Sequence, residues 1–171
     1  MINDTFTPDP FKLEKVLVQQ FKILKDMLVL TKKERASLLN DPDLVLGVVE
    51  EKEALLDSMT LLEDQCREIV QGFSLSLGLR SENTSIQALL PYFQPEDARR
   101  IHNLSEGISN LASQARELNR ANQAIALTKL DWLKATQSFL ISIFLPDPGY
   151  RSPQSGSTRQ DATGLGVEFR A

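Results

Sequence analysis

From Ile101 to Ile143 the chain repeats at alternating steps of three and four residues, through Leu104, Ile108, Leu111, Ala115, Leu118, Asn122, Ile125, Lys129, Trp132, Thr136 and Phe139. Those steps place every member on one face of an α-helix, and a strand would need a period of two. No proline lies between Pro95 and Pro146, and Gly107 is the only weak helix former in the run. A helix of about 75 Å follows at 1.5 Å per residue. A chain of 171 residues that commits so much to one helix cannot build a sandwich or barrel around it. The rest must pack alongside.

Two shorter runs can do so. Pro8-Asp9-Pro10 opens the first, in which Leu13, Leu17, Leu24, Met27 or Leu28, and Leu38 share a face, with no Gly or Pro from 11 to 39. Asn40-Asp41-Pro42 breaks it, because a residue before proline is pushed out of the helical region. Asp43 can cap the next helix. That second run is heptad-like, through Leu44, Val48, Leu55, Leu62, Cys66 (or Gln65), Ile69, Phe73 and Leu77, with Glu51 and Ser58 as polar interruptions, and Gly78 is its natural stop. Residues 81–85 look like a loop, and Ser85 to Leu90 could form one or two turns ended by Pro91. Pro95 suits the first position of the long helix, with Glu96 and Asp97 in its positive first turn.

The fold expected is all-α: an elongated antiparallel hairpin or three-helix bundle with a long C-terminal helix and a disordered tail. Its helical domain is residues 1–145, with helices at about 10–39, 43–77 and 95–145. The tail, 146–171, is rich in Pro, Gly and Ser without an apolar period. Residues 10–39 hold seven Lys or Arg against three Asp or Glu, and residues 41–77 hold two against nine. A basic helix thus folds against an acidic one. Exposed pairs are worth under about 1 kcal/mol each, so apolar burial supplies the stability.

Lengths of about 45, 52 and 75 Å leave the last 20 Å or so of the long helix beyond the hairpin. That end is not polar. Trp132 and Phe139 continue the first stripe, while Leu127, Leu130, Leu133, Leu140 and Phe144 add a second. A helix apolar on two sides needs two partners, and the expected occupant is another protein. The alternative is that the first helix, or a second copy of the chain in a homodimer, covers it. Asn119 and Asn122 stand mid-helix, where asparagine is unfavourable. Asn122 lies on the seam, where a buried amide can fix register, unless it rests at the wet edge.

Chemistry finds little footing. The net charge of −4 and lack of a basic face speak against nucleic acid. One His and one Cys are too few for a metal site, and no cofactor motif is present; Gly164-Leu165-Gly166 lacks the strand and third glycine that a dinucleotide loop needs. A histidine phosphotransfer helix would carry His-x-x-Lys-Gly, but His102-Asn103-Leu104-Ser105-Glu106 puts an acid where phosphate would be repelled. The expectation is no enzyme. Cys66 on the seam reads as a small buried hydrophobe, and a single cysteine suits a reducing compartment. The first ten residues have no signal-peptide pattern, and Phe139 to Leu145 is too short to span a membrane. A cytoplasmic location without membrane insertion is expected.

Leu118-Asn119-Arg120-Ala121-Asn122, followed by an apolar helix and then Tyr150 and Gly156, resembles the C-terminal signature of the FlgN family. Val48 to Leu56, with Lys52 and the pair Leu55-Leu56, is similar to its second helix. The resemblance spans about residues 11 to 156, and Pro146-Asp147-Pro148 ahead of Tyr150 departs from the pattern. It implies a cytoplasmic flagellar export chaperone. Such a protein binds the C-terminal helical segment of hook-associated proteins on its last helix and delivers them to the flagellar export apparatus. Read from residues alone, a structural coiled coil or adaptor is the other function class.

Overall fold

The computed structural model describes residues 9–79 and 84–144, which contain helices and turns and no strand. They divide into a compact unit ending at Leu130 and a second unit from Asp131 onward. Helix α1 spans Pro10–Asn40, α2 Val45–Ser76, the short α3 Ile86–Leu89 and α4 Pro95–Phe144.

Local chemistry sets these limits. Asp9 caps α1, its carboxylate accepting from the Phe11 N–H at 3.1 Å, and Pro10 takes the first turn, where a missing N–H costs nothing. The break at Asp41 is filled by a 3₁₀ turn, Pro42–Leu44. Asp43 lies inside that turn, and α2 starts after Leu44 with no side-chain cap. The expected cap is therefore not used, because Pro42 has already begun the turn one residue earlier. Gly78 ends α2 at φ 68°, with Leu79 N–H donating to the Ser74 carbonyl at 2.9 Å and Gly78 N–H to Leu75 at 3.2 Å. This is the left-handed stop that favours glycine. Ser85 caps α3 through Ala88 N–H, and a 3₁₀ turn, Leu90–Tyr92, carries the chain past Pro91 toward Pro95.

α1 and α2 run antiparallel: Lys33–Glu51 at 3.1 Å and Lys52–Glu34 at 2.8 Å join them near the turn, and Leu13, Val16 and Leu17 pack with Val70 and Phe73 at the other end. Within the first unit α4 runs parallel to α1. Arg100 meets Glu14 near one end and Lys129 Nζ reaches the Leu39 carbonyl near the other. The largest core cluster joins Leu13, Val16 and Leu17 of α1, Cys66, Val70 and Phe73 of α2, Leu89 of α3 and Ile101 of α4. Each large apolar side chain fully buried there is worth about 1.5–3 kcal/mol. Phe93 plugs the end, its ring edge-on to Phe73 at 5.2 Å.

Of the α2 seam read from sequence, Val48, Cys66 and Phe73 are buried and Leu55, Leu62, Ile69 and Leu77 half-buried, while Val70 and Ser74 are buried beside it and Ser58 is exposed. A straight helix turns every 3.6 residues, so a 3.5-residue seam rotates away from its partner. Gly107 has a packing role: a Cβ there would stand 2.8 Å from the Phe21 ring. The glycine leaves room for the Phe21 ring of α1 against α4. The tail from 146 lies outside the described residues.

Candidate functional site

Two features of α4 stand out, a polar layer inside the bundle and an apolar segment that stays exposed. The layer is built from all three long helices. Asn122 is 2% exposed, and its Nδ2 donates to the Thr31 carbonyl and to Glu34 Oε2, both at 2.8 Å. The same Glu34 oxygen accepts from Lys52 Nζ at 2.8 Å, and Lys52 donates again to Asn119 Oδ1 at 2.9 Å. Thr31 turns its own hydroxyl back onto the Met27 carbonyl at 2.7 Å. Among the buried side-chain N and O atoms of the described residues, only Asn122 Oδ1 has no partner. Sliding α4 by a turn would take Asn119 and Asn122 away from this pair and leave the Glu34 carboxylate and Lys52 ammonium, each about seven-eighths buried, with only each other, so the layer favours the observed register. Asn122 therefore sits inside, not at a wet edge, and its amide is committed to the fold. Asn119 is half-buried and faces Lys52.

The periodic stripe of α4 then changes character along its length. Ile101, Ala115 and Asn122 are buried and Ile125 is half-buried, whereas Trp132 is 66% and Phe139 63% exposed. Lys129 marks the change, since the α1 backbone it touches ends one residue later at Asn40. Leu127 and Leu130 of the first unit are exposed, as are Leu133, Leu140 and Phe144 of the second. Ile141 and Ile143 join them and were not among the partner-binding residues expected from sequence. The signal for Ile143 was its place at the end of the first stripe.

The segment's polar groups are largely satisfied by its own backbone. Thr128, Thr136, Ser138 and Ser142 donate their hydroxyls to carbonyls three or four residues back, at 2.7–2.9 Å. Residues 131–144 contain only two charges, Asp131 and Lys134, of opposite sign. Such a surface has little to offer an ion or a polar small molecule and much to offer another apolar helix.

Elsewhere the described residues supply no group of three or more His, Cys, Asp or Glu placed to hold a metal ion. His102 is exposed, 3.7 Å from Glu106. Cys66 is buried, and burial followed by the nearby charge of Glu63 pushes its thiol above the ordinary range. No described helix is long and apolar enough to cross a membrane.

Sequence reasoning missed Thr31, Glu34 and Lys52 as partners of the asparagines. A signal was available, since Lys52 is the only lysine in the acidic α2.

Comparison with curated proteins and with solved structures gives no match. The family described as FlgN protein matches residues 9–155, most of the 171-residue chain, including the Asn119–Asn122 layer and the whole exposed segment. The chain belongs to the FlgN family, a family of flagellar export chaperones.

Proposed function

We propose that this protein is a cytoplasmic chaperone for hook-associated proteins, holding their C-terminal helical segment until they reach the flagellar export apparatus. The observation that carries the reading is the exposed apolar surface on two sides of α4 from Leu127 to Phe144. Leu130, Leu133 and Leu140 form one contact row for the client, and Trp132 and Phe139 the other, with Leu127 and Phe144 at the ends. Asn119 and Asn122 contribute from within the first unit, by holding α4 to Lys52 of α2 and to Thr31 and Glu34 of α1. The client class rests on family membership, and the apolar character of the site on the residues themselves.

A client helix laid on such a surface would bury about 1,000–2,000 Å² in all. Ordering a flexible client segment costs several kcal/mol, so a dissociation constant of about nanomolar to micromolar is expected, weak enough for release. The test is titration calorimetry with a hook-associated protein or its C-terminal peptide. Leu130→Ser, Leu133→Ser and Leu140→Ser together should abolish binding while circular dichroism retains most of the helicity. Because the segment is almost uncharged, raising salt to several times physiological strength should change affinity little. A tenfold or larger loss in salt would place the complex on charge and move the site to α2. Unfolding of the triple variant would make those leucines core.

A further inference from the structure

α4 covers one side of the α1–α2 hairpin, through Ile101, Ala115 and Asn122. The opposite side is open among the described residues. Three depressions follow one another along it. The first, about 450 Å³, lies between Val29 and Leu30 of α1 and Ala54 and Leu55 of α2. The second, about 410 Å³, lies between Lys22 and Ile23 and Leu61 and Leu62. The third, about 200 Å³, lies between Lys12 and Glu68. Val29 and Leu61 are 63% and 65% exposed. The floor is apolar in the middle, and the walls differ in sign. α1 brings Lys12, Lys22 and Lys33 to it, with Asp26 between them and its capping residue Asp9 beside Lys12, and α2 brings Glu51 and Glu68.

We infer that this face is a homodimer interface, on which the hairpin of a second copy seats to complete an antiparallel four-helix bundle. Charge selects the occupant and its orientation. A two-fold axis along the length of the hairpin sets α1 of each copy against α2 of the other at the same height. Lys33 and Glu51 are level within one chain, 3.1 Å apart, so Lys33 then also faces the partner's Glu51. Lys12 and Glu68 share a depression, so Lys12 faces the partner's Glu68. A two-fold axis across the hairpin would instead set lysines on lysines and acids on acids. An isologous surface must be complementary to itself, and walls of opposite sign on either side of an apolar floor meet that requirement. A lone client helix would have to carry both signs in mirrored order.

The area is sufficient. Two helices about 45 Å long and about 10 Å wide each present about 900 Å² per copy, or about 1,800 Å² for the pair, which is the size of a stable interface. This inference uses only the first unit and is independent of the client surface on α4.

The experiment is sedimentation equilibrium and light scattering of the full chain across a concentration series. A species of about twice the 19.2 kDa chain mass is expected. Leu61→Arg, which puts an unpaired charge on the apolar floor, should weaken association at least tenfold without loss of helicity. Lys33→Glu and Glu51→Lys should each disfavour self-association, and mixing the two variants should restore a heterodimer. Restoration on mixing cannot come from misfolded chains. A monomer throughout the series would overturn the inference, as would a dimer indifferent to Leu61→Arg. The Leu130, Leu133, Leu140 triple serine variant should dimerise normally. Loss of the dimer in that variant alone would place the interface on α4 and refute the assignment to the hairpin.

Discussion

Replacing Glu34 with Met leaves the Lys52 ammonium, now 13% exposed, with a single acceptor, Asn119 Oδ1. Replacing Lys52 with Met leaves the Glu34 carboxylate, 12% exposed, with a single donor, the Asn122 amide. Removing one partner of a fully buried pair costs about 3–5 kcal/mol. Here each stranded charge keeps one amide, and lysine can extend its stem toward water, so about 2 kcal/mol for each single substitution is the better figure. The double variant puts two thioethers side by side and strands no charge. It loses only the second hydrogen bond of Asn122 and that of Asn119, for about 1 kcal/mol. The singles should therefore overshoot the double, with a coupling of about 3 kcal/mol, near the upper end for contacting residues. In thermal terms each single variant should melt about 4–8 °C lower and the double only about 2–4 °C lower. Urea unfolding followed by circular dichroism, on all four proteins, reads the cycle directly. Additive losses, with the double variant the least stable, would mean that the pair is wet and that its two charges are not coupled.

Gly107→Val should destabilise the bundle by about 1–3 kcal/mol, because its branched side chain needs the space that the Phe21 ring fills; a thermal melt equal to the parent's would show that α1 and α4 are not in close packing there. Cys66 gives a pH signature. Its folded thiol is raised by burial and then by Glu63, so the stabilisation linked to it is complete below the ordinary thiol range near about 8.5 and is lost as pH rises through the raised folded value. Melting temperatures of the parent and Cys66→Ala, compared from neutral to alkaline pH, should converge on the alkaline side, and a constant difference would contradict a buried thiol.

How far the molecule was legible in its sequence differs from element to element. The long helix was legible because its alternating three and four spacing is a one-dimensional pattern. Its start at Pro95 and that of α1 at Pro10 follow from proline's fixed φ and missing N–H. Gly78 as a stop was legible for the same local reason, since few other residues accept its positive φ. The Asp43 cap was not, because an acid beside a proline can serve either of two turns and only the competing backbone geometry chooses. The two-sided apolar run from Leu127 to Phe144 could be counted in the sequence. Exposure could not be counted, because periodicity says which side chains share a face and never what lies opposite it.

The sequence by itself determined three long helices, their chain order and the opposite charge of the first two. Tertiary structure alone decided that Asn122 is inside, that Glu34 and Lys52 meet it from two other helices, and that the apolar stripe is covered before Lys129 and bare after it. The physical reason is separation along the chain. Thr31 and Asn122 are 91 residues apart, and no local spacing rule reaches that far. Their contact depends on how the helices rotate about their axes, and that is fixed by burying Leu13, Phe73, Leu89 and Ile101 together at the far end of the bundle.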